Sequence, residues 1–126
     1  AGADIGEMRR AADAAPADNE REARCLASLL LQLDGLAHPP VARVQGDAFG
    51  GALGLIAACD VAVAAEGARF ALTEVRLGIV PAMISPFVVR AIGARQARRY
   101  FLTGERFGAA EAGLLGPREV SRPVTR

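Results

Sequence analysis

The stretch Gly46-Asp47-Ala48-Phe49-Gly50-Gly51-Ala52-Leu53-Gly54-Leu55-Ile56-Ala57-Ala58-Cys59, followed by Asp60 and Val61-Ala62-Val63-Ala64, decides the fold. A glycine-rich turn runs into a segment that is apolar on every side, the signature of a buried helix. Asp60 ends that segment. Val61–Ala64 is apolar without alternation, as expected of a strand in a parallel sheet covered on both faces.

Working outward, Val41-Ala42-Arg43-Val44-Gln45 reads as a strand on the N-terminal side, after His38-Pro39-Pro40 has stopped a helix. That helix is expected over about 18–36, with Asp18 as cap, His38 at the C-terminal cap and a stripe of Leu26, Leu29, Leu30, Leu33 and Leu36. On the other side, a loop at Glu66-Gly67-Ala68 leads to a short strand, Arg69–Leu72. Thr73 to Pro81 is punctuated by Gly78 and Pro81 and reads as loop.

Ser85-Pro86 starts a helix to about Ile92, with Ser85 as cap and Pro86 at the first helical position. Gly93 closes it. A helix over about 94–102 turns Ala97, Tyr100 and Phe101 inward and Arg95, Arg98 and Arg99 outward, and another is expected over 107–115. Strands alternating with helices indicate an α/β fold.

The chain has 126 residues, 52% of them hydrophobic, enough for one domain burying about two-thirds of its unfolded surface. All fifteen basic residues are arginine, scattered among fourteen acidic ones for a net charge of +1. That excludes the one-sided basic patch of a nucleic-acid binder. Cys25 and Cys59 lack the spacing of a zinc or redox motif and read as small core residues in a reducing compartment. No metal site is expected. The longest apolar stretch, Leu53–Ala65, is too short to span a bilayer, so a cytoplasmic location is expected and no membrane partner. The opening Ala1-Gly2-Ala3-Asp4 suggests a start in mid-domain, and residues 116–126 are expected to form an irregular, poorly ordered tail after a core at 1–115.

Two features suggest chemistry. The Gly50-Gly51 turn leaves unpaired N–H groups at a helix start, able to stabilise negative charge developing on a ligand oxygen; from the glycines alone, tight packing of a turn is the stronger reading. Glu74 has Leu72, Val75, Leu77, Ile79 and Val80 around it, and burial among them would raise its pKa and suit it to proton transfer. An exposed Glu74, or one paired with Arg76, is the alternative.

Taken in order, Ala1-Gly2-Ala3-Asp4, Val44 through Gly51, Cys59-Asp60, Phe70 to Gly78 and Pro81 resemble the crotonase superfamily, the enoyl-CoA hydratase/isomerase family. Glu74-Val75-Arg76-Leu77-Gly78 and Arg98-Arg99-Tyr100-Phe101-Leu102-Thr103-Gly104 look most like methylglutaconyl-CoA hydratase-type members. The resemblance implies a ClpP/crotonase-like spiral of ββα units, incomplete at both ends, assembled in its full-length form as a homotrimer or hexamer. It implies an acyl-CoA substrate, whose coenzyme A is no separate cofactor. The family's oxyanion-hole amides fall on Ala1 and Gly51 and its second catalytic glutamate on Glu74. Substrate contacts are expected at Ala3, Asp4, Gly50, Gly54 and Pro81, with Ala1 to Asp4 meeting the adenine end of coenzyme A.

The chain departs from the pattern at Gly54, where hydratases of the family carry their first glutamate. Glycine within a helix costs about 1 kcal/mol relative to alanine, so Gly54 is expected to open room for substrate or water. Ala82-Met83-Ile84-Ser85-Pro86 also replaces a glycine-rich run. Hydration of an enoyl-CoA is the expected activity by resemblance, and isomerisation with Glu74 alone is the alternative by chemistry. A non-catalytic acyl-CoA binder or inactive truncated fragment is the third reading, because a free Ala1 would be an ammonium on a fraying end.

Overall fold

A computed structural model describes Gly6, Arg10 and residues 13–115. Its elements are α1 (Pro16–Asp34), β1 (Val41–Val44), β2 (Ala48–Phe49), α2 (Gly51–Ala57), β3 (Val61–Ala64) and β4 (Arg69–Ala71). They are followed by a 3₁₀ turn (Thr73–Leu77), α3 (Ser85–Ile92), α4 (Ala94–Thr103), β5 (Phe107–Gly108) and α5 (Ala109–Leu115). The expected tail at 116–126 lies outside the described residues.

The strands form two small sheets. β1 pairs in parallel with β3, from Val41↔Val61 to Val44↔Ala64. β2 pairs in parallel with β4, Ala48↔Phe70 and Phe49↔Ala71, and β5 runs antiparallel to β4. A strand pair and a helix (β1, β2, α2) are thus followed by a second pair (β3, β4) laid on the first, with α3 beyond. This is the ββα repeat of the expected spiral. Parallel pairing demands a crossover, and α2 supplies it.

Small residues let these layers approach: Ala48, Ala58, Ala62, Ala64, Ala68, Ala71 and Ala97 are all buried. Phe70, Phe107 and Tyr100 fill the centre, with ring centroids 5.6 Å apart for Phe70–Phe107 and 4.3 Å for Tyr100–Phe107. The Tyr100 hydroxyl donates to Glu111 Oε1 at 2.7 Å, fastening α5 to α4. Burial is the main cause that pushes the Tyr100 phenol up to about 12, helped by its bond to Glu111.

Several local expectations change. α1 begins after Ala15 with Pro16 at its first turn, and Asp18 is inside the helix, accepting from Arg21 at 2.6 Å. Gly35, whose N–H reaches Leu31 O at 3.0 Å, caps the C-terminus, while His38 is exposed beyond it. Of the leucine stripe only Leu30 is buried; Leu26 and Leu33 pack partly, and Leu29 and Leu36 face outward. Arg90 of α3 makes a forked ion pair with Asp34 and holds its carboxyl below the usual range, tying α1 to α3.

β3 is not covered on both faces, since Val61 is 46% exposed and burial alternates along the strand. α2 is likewise only partly enclosed, with Gly54 its one buried residue. The cysteines are not core residues: Cys25 is exposed and Cys59 half-buried, its thiol donating to Leu55 O at 3.3 Å, with its pKa raised by burial. Ser85 is the first residue of α3 rather than its cap, and its Oγ donates to Ala82 O at 2.9 Å. Phe107 and Gly108 form a strand before the last helix starts, because Phe107 is needed beside Phe70 in the sheet. No helix among the described residues is long and apolar enough to cross a membrane.

Candidate functional site

The parallel register of β2 and β4 assembles the site. Because Phe49 lies opposite Ala71, the chain leaves both strands at the same edge, where Gly50-Gly51 and the turn bearing Glu74 meet. Carboxyl ends of parallel strands are where open α/β sheets receive ligands. The Gly50 N–H donates to Ala71 O at 2.9 Å, which locks this junction.

Gly50 adopts φ 57°, ψ −126°, a region that residues with a β-carbon avoid. A β-carbon there would also stand 3.1 Å from Glu74 Oε1 and 3.5 Å from its carboxyl carbon. The carboxylate therefore lies directly on the Gly50 backbone. Glu74 is half-buried, and its Oε2 is shielded from solvent without a hydrogen-bond partner among the described residues. An acceptor held this way is poised for a donor or a transferable proton.

Gly51 opens α2, so its N–H belongs to those a helix leaves without an internal carbonyl, and no side chain caps it. Nothing lies within 4 Å of where its β-carbon would be. This amide follows by one residue the backbone against which the Glu74 carboxylate lies. Gly50, Gly51 and Glu74 are thus brought together.

Of the apolar neighbours expected around Glu74, Leu72 is buried, whereas Val75, Leu77, Ile79 and Val80 are exposed, and Gly50 lies directly against the carboxylate. Nor does Arg76 pair with it. Arg76 Nη2 donates to Gly104 O at 2.9 Å.

Gly54 departs most from expectation. A β-carbon on it would stand 2.7 Å from Ile84 Cβ and closer still to Ile84 Cγ2. The space the glycine frees is filled by a buried isoleucine, and α2 and α3 approach each other there. Gly54 therefore offers no room to substrate or water. Pro81 is half-buried and accepts from the Ser85 N–H at 3.0 Å, which sets the start of α3. Ala1, Ala3 and Asp4 lie outside the described residues.

Sequence reasoning missed Ile84, Arg76 and Gly104. Gly104 carried a signal, a glycine directly after a helix, but its partners come from distant turns. No group of three or more His, Cys, Asp or Glu side chains among the described residues could hold a metal ion. An apolar cavity of about 60 Å³ between the layers, lined by Val44, Leu53, Ile56, Phe70, Val88 and Ile92 among others, does not include Glu74 and reads as a packing gap.

The family model for enoyl-CoA hydratase/isomerase matches residues 1–117. The chain is 35% identical over its whole length to hydroxycinnamoyl-CoA hydratase-lyase of Pseudomonas fluorescens, spanning 47% of that protein. It is 37% identical to 2,3-dehydroadipyl-CoA hydratase of Escherichia coli, across 92% of this chain and 44% of the relative. A crystal structure of an enoyl-CoA hydratase from Shewanella pealeana superposes with a TM-score of 0.88 at 51% identity, across 91% of this chain and 43% of that one. The chain spans about half the length of the curated relatives it matches. With two stacked ββα units and the Gly50–Glu74 junction at their strand ends, the chain belongs to the enoyl-CoA hydratase/isomerase family, the crotonase superfamily, and has its fold.

Proposed function

We propose that the intact protein adds water across the double bond of an enoyl-CoA thioester, with Glu74 as the proton carrier and the Gly51 amide as one donor to the thioester oxygen. The observation that carries this reading is the Glu74 carboxylate lying 3.1 Å from a β-carbon built on Gly50, one residue before the open amide of Gly51, with Oε2 unpartnered among the described residues.

In this reaction the water oxygen bonds to Cβ as Glu74 takes its proton, and the electron pair of the double bond moves onto the thioester as an enolate. Glu74 then returns the proton to Cα. One water is added and the carboxylate is regenerated. Amide donors aimed at the enolate oxygen act by preorganisation, since they need not reorient as charge develops.

Isomerisation is the second reading, and the Gly54–Ile84 contact favours it. With Ile84 filling that space, no side chain reaches the substrate from position 54. Moving one proton from Cα to Cγ needs only Glu74. The relatives bear on the acyl group only by their variety, one named for a hydroxycinnamoyl and another for a dehydroadipyl thioester. The resemblance to methylglutaconyl-CoA hydratase-type members makes a branched acyl group the first to try. Coenzyme A is part of the substrate, and a homotrimer or hexamer completes the reading on resemblance.

Incubating the intact protein with 3-methylglutaconyl-CoA, crotonyl-CoA and a 3-enoyl-CoA separates the readings. Water addition supports the first, double-bond migration alone the second. Binding without turnover would leave an acyl-CoA binder. Full activity in Glu74→Gln would sink the role given to the carboxylate.

A further inference from the structure

The 3₁₀ turn that carries Glu74 has few anchors of its own. It spans only Thr73–Leu77, none of its residues is fully buried, and no side chain caps its start. Short 3₁₀ segments have poor hydrogen-bond geometry, so their placement depends on what they dock against. Here the dock is the C-terminal cap of α4. Gly104 sits there at φ 58° with its N–H on Tyr100 O at 3.0 Å, and α4 is held by the fully buried Tyr100 and Ala97.

Two residues of the turn meet Gly104. A β-carbon on Gly104 would stand 2.9 Å from Val75 Cγ1, 3.3 Å from Arg76 Nε and 3.3 Å from Leu72 O. The Arg76 guanidinium lies against the Gly104 α-carbon while its Nη2 donates to the Gly104 carbonyl. Glu74 directly precedes Val75, and its carboxylate lies on Gly50. The turn thus touches Gly104 through Val75 and Arg76 and Gly50 through the Glu74 carboxylate.

We propose that Arg76 is a positioning residue for Glu74, holding the turn through the Gly104 carbonyl in the register that lays the carboxylate against Gly50 beside the Gly51 amide. The inference rests on the reading of Glu74 as the proton carrier. A charge-assisted bond from a planar group that also covers the glycine is not reproduced by lysine, which offers a point charge on a flexible stem.

The test is steady-state hydration of crotonyl-CoA by the intact protein carrying Arg76→Met, Arg76→Lys or Glu74→Gln, with the thermal unfolding midpoint of each. Arg76→Met is expected to lower kcat about 10- to 100-fold with KM within about twofold, as for a reacting group displaced by a fraction of an ångström. Arg76→Lys is expected to fall between Arg76→Met and the parent, and it carries the test alone if Arg76→Met does not fold. The proposal is overturned if the arginine variants keep the parental kcat, or if KM rises at constant kcat, which would place Arg76 on the substrate. A kcat loss that only follows loss of folded protein, with no recovery in Arg76→Lys, overturns it too. Glu74→Gln distinguishes the two levels: its inactivity beside an active Arg76→Met defeats this proposal alone, whereas its full activity defeats the underlying reading.

Discussion

Ile84 stands where any side chain on Gly54 would have to go: a β-carbon on Gly54 would lie 2.7 Å from Ile84 Cβ. Both residues are buried, one in the middle of α2 and the other at the entry to α3. The glycine is a packing device that lets two helices approach, and no side chain extends from position 54.

Gly54→Ala is expected to destabilise the protein by about 1–3 kcal/mol, since the added methyl overpacks a filled space. Adding Ile84→Ala should recover part of that loss, although Ile84→Ala alone costs about 2–5 kcal/mol by opening a cavity. Denaturant midpoints for the two single variants and the double variant give the coupling, expected to exceed about 0.5 kcal/mol. Strict additivity would show that the two side chains do not compete for one space.

Gly50→Ala combines two faults, a positive φ and a methyl pressed onto Glu74 Oε1. The backbone strain costs about 1–3 kcal/mol. Turnover should fall further than that cost implies, because the methyl displaces the carboxylate itself. Enoyl-CoA turnover measured at a temperature where both proteins are fully folded checks this; an active, merely destabilised variant would contradict it.

The Tyr100 phenol, facing Glu111, Glu105 and Arg99, has its pKa raised from 10.0 to about 12. A folded-state pKa above the unfolded one means that the folded protein keeps a proton the unfolded chain loses. The associated stability is complete below pH 10 and disappears as pH rises through 10 toward 12. Tyr100→Phe should therefore be less stable than the parent at neutral pH by about 1 kcal/mol, through loss of the bond to Glu111, and should show a shallower decline of unfolding midpoint across that alkaline window. An unchanged decline would place its origin in other groups.

Leu30 and Leu31 are neighbours with opposite fates, 0% and 65% exposed. Leu30→Ala should cost about 2–5 kcal/mol. Leu31→Ala should stay within about 0.5 kcal/mol of the parent. Equal effects in thermal unfolding would mean that α1 packs on the core through a different face.

Much of the architecture was legible along the chain because it is local. Proline and glycine stop helices wherever they stand, and they marked the end of α1, the turn before α2 and the break between α3 and α4. Apolar runs marked β1, β3 and β4. The errors fall where a long-range partner decides the state. Phe107 joins a strand because Phe70 lies beside it. Cys25, Leu29 and Leu31 face outward because only one line of that helix, through Leu26, Leu30 and Leu33, meets the core.

The sequence by itself determined the α/β class, the elements other than β2 and β5, which it read as part of a turn and the start of a helix, the family, and Glu74 with the Gly50-Gly51 turn as the place to look. Each follows from short-range chemistry or from motifs in order. Only the tertiary structure decided what surrounds them: the parallel register that lays Glu74 on Gly50, the isoleucine that fills the space beside Gly54, and the Arg76–Gly104 bond behind the turn. Those contacts join residues far apart in sequence, and packing in three dimensions selects among the partners that local patterns leave open.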